Sequence, residues 1–61
     1  MNKITLSDSF FIIVLRYKKD YAAYLFEQEL IKAAKIFPIN TEREEIQKWG
    51  MKYIINNQNN E

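Results

Sequence analysis

The sequence predicts an all-α fold, either a small helical hairpin or a three-helix domain. Three observations lead to this prediction. Residues 20–37 are rich in the helix-forming residues Ala, Leu, Glu, Gln and Lys. Residues 42–55 carry apolar side chains at helical spacing. The single proline, Pro38, lies between these segments in a Pro-Ile-Asn turn. We therefore expect a first helix, long or broken, over about 8–37 and a second helix over about 42–55.

The segment at residues 10–17 is compatible with either a helix or a strand. Two phenylalanines and three β-branched residues in this region favour a strand. The two faces of that strand would be Phe10, Ile12 and Val14 on one side and Phe11, Ile13 and Leu15 on the other. Both faces would need cover, and no convincing partner strand is recognisable elsewhere. A helix is therefore the preferred interpretation, and in either form we expect this segment to be buried nearly all round.

The number of helices before Pro38 stays open. Asp20 can cap a separate helix that begins at Tyr21, or one helix can run from residue 8 without interruption. We expect the helical region to end at Phe37, because proline disfavours helical backbone in the residue before it.

The second helix has the clearer start signal. Thr41-Glu42-Arg43-Glu44 has the spacing of a capping box, in which Thr41 and Glu44 satisfy each other's free backbone N–H groups. Its apolar stripe consists of Ile46, Trp49, Gly50, Tyr53 and Ile54. Gly50 should allow a neighbouring helix to approach closely. Residues 56–61 have no apolar anchor, so we expect one domain over 1–55 followed by a disordered polar tail over 56–61.

The size of the chain predicts association. Sixty-one residues without cysteine cannot rely on disulfides, although 48% of the residues are hydrophobic. Four tyrosines, four phenylalanines and one tryptophan are a heavy aromatic load for a small helical domain to enclose. We therefore expect the chain to dimerise, to bind another protein, or both.

This apolar surplus points to a non-enzymatic protein-interaction module that works through an aromatic-rich helical face. Tyrosine and tryptophan are enriched among the residues that contribute most to protein interfaces. The residues expected to contact a partner are Phe10, Phe11, Ile13, Val14, Tyr17, Tyr21, Tyr24, Trp49 and Tyr53. Isoleucine, asparagine, lysine, tyrosine and phenylalanine make up about half of the chain. Since their codons are AT-rich, we expect a small regulator or inhibitor from a bacterium, phage or plasmid.

The alternative is a DNA-binding transcription regulator. Residues 32–49 resemble a helix-turn-helix of the transposase or small-regulator kind, with an alanine pair, Ile39 in the turn, and Ile46 and Trp49 on the second helix. The resemblance implies that helix 42–55 reads DNA. The residues that would face DNA are Arg43, Gln47, Lys48 and Lys52. The same segment is also compatible with an ordinary helical hairpin that has Ile39, Ile46 and Trp49 in its core.

Composition argues against several other classes. Without histidine and cysteine, the chain lacks the commonest general base and the commonest metal ligands, so we expect no catalytic, metal or cofactor site. Glu42 and Glu45 lie at helical spacing but suit the positive end of the helix dipole as surface residues. The run at 10–15 is shorter than a signal-peptide core or a membrane span, which predicts a cytoplasmic protein without a membrane partner.

Overall fold

The protein forms a four-stranded antiparallel sheet followed by one helix, in a computed structural model that describes residues 2–58. The elements are β1 (Asn2–Thr5), β2 (Phe10–Tyr17), β3 (Asp20–Glu27), β4 (Leu30–Pro38) and α1 (Arg43–Gln58). The strands lie side by side in chain order, β1-β2-β3-β4, and each is antiparallel to the next.

The prediction of an all-α fold is wrong. The segment expected to be a helix over 8–37 forms β2, β3 and β4 instead, so there is neither a helical hairpin nor a three-helix domain in the described residues. The strand interpretation of residues 10–17 is the correct one, and its partner is the alanine- and tyrosine-containing segment that follows. Ile12 pairs with Leu25 in this ladder. Pairing between strands overrides the helix propensity of residues 20–37, because the energy of packing exceeds the few tenths of a kcal/mol per residue that separate these propensities.

Two tight loops connect the three long strands. Lys18 and Lys19 join β2 to β3, and Gln28 and Glu29 join β3 to β4. Lys18 and Gln28 each have a φ of 58°, in the left-handed region. Two-residue hairpin loops of this kind usually contain glycine or asparagine. Neither loop does, so the hairpins lack their usual signal in the sequence.

The second predicted helix is present as α1. The Glu42 carbonyl accepts hydrogen bonds from the N–H groups of Glu45, at 3.0 Å, and Ile46, at 3.4 Å. The Thr41 N–H donates to the Pro38 carbonyl at 3.0 Å rather than to Glu44, so it does not take part in the predicted capping box. The helix includes residues 56–58, where the polar tail was expected to begin, and residues 59–61 lie outside the described residues.

The core lies between α1 and one face of the sheet. It consists of Ile4, Ile12, Val14, Ala23, Leu25, Phe37 and Ile46. Ile12 and Leu25 are completely buried at its centre. The half-buried side chains of Trp49 and Tyr53 on α1 pack against this cluster. A single helix thus covers a single face of the sheet.

Candidate functional site

The opposite face of the sheet is apolar and lacks a covering layer within residues 2–58. Side chains alternate between the two faces of a strand, so the register of the ladders assigns each residue to a face. We call this second surface the open face. Its residues are Phe11, Ile13, Leu15 and Tyr17 on β2, Ala22, Tyr24 and Phe26 on β3, and Ile31, Ala34 and Ile36 on β4.

Several large side chains of the open face are accessible to solvent. Leu15 is 39% exposed, Ile31 59% and Ile36 62%. Tyr17, at the end of β2, is 67% exposed. Neighbours within the sheet half-bury Phe11, Ile13, Tyr24 and Phe26. A continuous apolar surface of this kind on a small protein commonly marks a binding site.

An aromatic stack orders one end of the open face. The rings of Phe11 and Phe26, which are paired across β2 and β3, are parallel within 2° and have centroids 5.1 Å apart. The Nζ of Lys3 lies 4.6 Å from the centroid of the Phe11 ring on the β1 side. The stack and its cation hold the two rings in fixed positions, because each ring is contacted on a face.

The interior of the open face is uncharged. All ten of its residues are apolar or tyrosine. The flanking charges on this side of the sheet include Lys3 on β1, Asp20 at the start of β3, and Lys18, whose Nζ lies 5.4 Å from the centroid of the Tyr17 ring. These charges have both signs and lie at the border, outside the apolar centre. A partner of this surface therefore needs apolar groups at its centre rather than a counter-charge.

Large and small side chains alternate across the open face and give it relief. Leu15 pairs with Ala22, and Tyr24 pairs with Ala34. A shallow depression of about 440 Å³ lies beside Ala22 of β3 on the open face. Its lining residues are Leu15, Arg16, Tyr17, Asp20, Ala22, Tyr24 and Ile36. The surface therefore offers both exposed apolar side chains, such as Ile36, and a hollow that can receive one.

The nine residues expected to contact a partner are divided between the two faces of the sheet. The open face holds Phe11, Ile13, Tyr17 and Tyr24, whereas Phe10, Val14, Tyr21, Trp49 and Tyr53 lie in or against the core under α1. The helical face that was expected to unite them does not exist. Tyr21 and Tyr24 show why: residues three apart share one side of a helix but point to opposite sides of a strand.

Sequence reasoning missed six residues of the open face. They are Leu15, Ala22, Phe26, Ile31, Ala34 and Ile36. The strand interpretation had already grouped Leu15 with Phe11 and Ile13. Extending the same alternation to the next two strands would have identified Ala22, Phe26, Ala34 and Ile36, once their turns were recognised. It would not have identified Ile31, because the register shift in β4 breaks the alternation.

The helix-turn-helix expected over residues 32–49 is not formed. Its first helix is replaced by β4, so α1 has no preceding helix to brace it against DNA. Ile46 is buried and Trp49 packs edge-to-face on Phe37, with ring centroids 5.7 Å apart at 75°. The candidate DNA-facing residues Arg43, Gln47, Lys48 and Lys52 are all exposed on α1.

Residues 2–58 contain neither a metal-binding cluster nor a helix that could span a membrane. Within residues 2–58, no three His, Cys, Asp or Glu side chains gather where they could hold a metal ion. The helix in this part of the chain is too short or too polar to cross a lipid bilayer. No protein-family model matches the chain, and comparisons with curated proteins and with solved structures find no significant match.

Proposed function

We propose that the chain is a non-enzymatic protein-interaction module whose open face binds an apolar surface of another protein molecule. The observation that supports this proposal is the uncharged, apolar character of ten side chains on three adjacent strands. An antiparallel sheet with one face in solvent normally places polar residues on that face. Apolar residues on both faces are expected where both faces are covered.

The energetics of burial favour a reversible interaction. Burying a large apolar side chain contributes about 1.5–3 kcal/mol relative to full exposure. Ile31, Ile36 and Tyr17 would each gain a large part of this amount, because more than half of each side chain is exposed. Association costs roughly 4–15 kcal/mol in lost freedom, so the sum over this surface leaves a modest net affinity.

Binding of this kind suits a small regulator or inhibitor that acts by occupying a partner's surface. A cytoplasmic setting goes with this proposal, because small secreted domains usually depend on disulfides and this chain has no cysteine. The DNA-binding alternative is not carried forward, since the helix-turn-helix on which it depended is replaced by β4 and α1.

Site-specific photo-crosslinking in the cells that produce the chain tests the proposal. A benzophenone amino acid would replace Tyr24 at the centre of the open face or, as the control, Lys48 on the outer side of α1. We expect a covalent adduct with a protein molecule from position 24 and little from position 48. No adduct from position 24, or equal yields from both positions, would contradict a binding role for the open face.

A further inference from the structure

We propose that the open face binds the open face of a second copy of this chain. The two sheets would pack face to face as the inner layers of a dimer, with α1 of each copy on the outside. This inference rests on the proposed function, because it names the partner of the same surface. Three properties of the described residues support it: the protected edges of the sheet, the relief of the open face and its charges. The area of the face determines how strong the association can be.

The edges of the sheet disfavour the other simple route to a dimer, which is the addition of strand to strand. β1 has only four residues. β4 carries Lys32 and Lys35, and the register shifts by one residue opposite Leu25 and Phe26. The Tyr53 hydroxyl also donates to the Lys32 carbonyl at 3.4 Å, which engages one acceptor of this edge. Short strands, lysines and bulges are the features by which proteins prevent edge-to-edge pairing.

The relief of the open face fits a copy of itself. Tyr24 has two small neighbours on this face, Ala22 two residues earlier on β3 and Ala34 opposite on β4. In a two-fold symmetric contact the same patch meets itself, so a projection on one copy needs a hollow on the same patch of the other. The exposed side chains of Ile31 and Ile36 supply projections, and the depression beside Ala22 supplies the hollow. Alternation of large and small residues is the arrangement that lets two layers interdigitate.

The charges of the open face permit two copies to meet. Two identical faces with a charged centre would repel each other, but the centre of this face carries no charge. Lys3, Lys18 and Asp20 lie at the border and include both signs, so self-docking brings no like charges together at the apolar centre. By contrast, a nucleic acid or an acidic peptide would find no row of cations here to neutralise it.

The area of the open face predicts a dimer in exchange with the monomer. Strands of eight residues are about 26 Å long, and three strands with their side chains are about 15 Å wide, which gives about 400 Å² per copy. Two copies would then bury about 800 Å² in total, below the roughly 1,200 Å² at which stable interfaces begin. We therefore expect the dimer to have a dissociation constant in the micromolar range or above.

Sedimentation equilibrium of the full chain over about 1 μM to 1 mM tests the inference. We expect a shift from monomer to dimer in the wild type. Ile36→Lys should weaken dimerisation at least about tenfold, because it places two lysines in a dry contact. Ile55→Lys is the matched control, since Ile55 is a similarly exposed isoleucine, at 51%, on α1. Its dimerisation constant should equal that of the wild type.

Folding of each variant is checked by far-ultraviolet circular dichroism and by the emission of Trp49. If Ile36→Lys fails to fold, Ala34→Lys replaces it, because Ala34 is also an exposed residue of the open face. A wild type that stays monomeric throughout, or a dimer that Ile55→Lys disrupts and Ile36→Lys does not, would overturn the inference. A monomer that still forms an adduct from position 24 with a different protein would overturn the second copy as partner and leave the proposed function standing.

Discussion

Gly50 of α1 lies directly against Ile12, the residue at the centre of the core. A Cβ atom at position 50 would stand 2.6 Å from Ile12 Cδ1 and 2.8 Å from Leu6 Cδ1. Carbon atoms do not approach this closely, so a side chain at position 50 would require the side chains of Ile12 and Leu6, or the helix itself, to shift. The sequence predicts that Gly50 lies close to a neighbouring helix. Its close neighbours are instead Ile12 on β2 and Leu6, the residue that follows β1.

A side chain at position 50 should therefore separate α1 from the sheet. We expect Gly50→Val to lower the free energy of unfolding by about 1–3 kcal/mol, the usual cost of overpacking a core. Urea denaturation followed by circular dichroism measures this. Lys48→Val is the control, because it introduces the same residue at an exposed helical position and should cost only a few tenths of a kcal/mol. On helix propensity alone Gly50→Val should not lose stability, because valine is a better helix former than glycine, so a loss no larger than that of Lys48→Val would contradict the close contact with Ile12.

The edge-to-face pair of Phe37 and Trp49 connects β4 to α1. Phe37 is 8% exposed, so we expect Phe37→Ala to cost about 3–5 kcal/mol and to shift the emission of Trp49, the only tryptophan, to longer wavelength. Ile36→Ala is the neighbouring control on the opposite face of β4, and at low protein concentration it should cost less than about 1 kcal/mol. A Phe37→Ala variant that matches this control would contradict the placement of Phe37 in the core.

The helix could be predicted from the sequence because its residues are buried on one side only. Ile46 and Ile54 are buried, whereas Gln47, Lys48 and Lys52 between them are exposed, so the 3.6-residue period is visible. The turn at Pro38 was equally recognisable. The two hairpin turns were not, because Lys18-Lys19 and Gln28-Glu29 use side chains that seldom occupy such loops.

The hairpin loops give a third prediction. The left-handed φ of Gln28 strains a residue with a Cβ atom, and glycine would remove this strain at some cost in the entropy of the unfolded chain. We expect Gln28→Gly to raise the free energy of unfolding by about 0.5–1 kcal/mol. Glu29→Gly, at the adjacent position without a positive φ, should lower it by a similar amount. The two variants should differ in the sign of the change in thermal or urea denaturation, and the same sign in both would contradict the loop geometry.

The strands could not be recognised in the sequence because β2 is apolar on both faces, and its second apolar face belongs to the candidate site. A half-buried strand shows alternation of apolar and polar residues, but in β2 Ile12 and Val14 face the core while Ile13 and Leu15 are equally apolar on the open face. Both faces of β2 therefore look buried, and the period of two disappears. The open face could not be recognised from the sequence, because recognising it requires knowing that these residues form strands. The expectation that the chain has more apolar surface than it can enclose depended only on composition, and the open face is consistent with it.

Stability that depends on protein concentration is the last prediction. A dimer that forms only from folded chains raises the apparent stability by mass action. For a chain of this size, a tenfold increase in concentration above the dissociation constant should raise the midpoint of thermal unfolding by about 5 °C. The midpoint of Ile36→Lys should change little over the same range, because its association is weakened, whereas that of Ile55→Lys should follow the wild type. Scanning calorimetry or circular dichroism at several concentrations provides the measurement. A wild-type midpoint that is independent of concentration, at concentrations where sedimentation shows a dimer, would indicate that association does not depend on the folded open face.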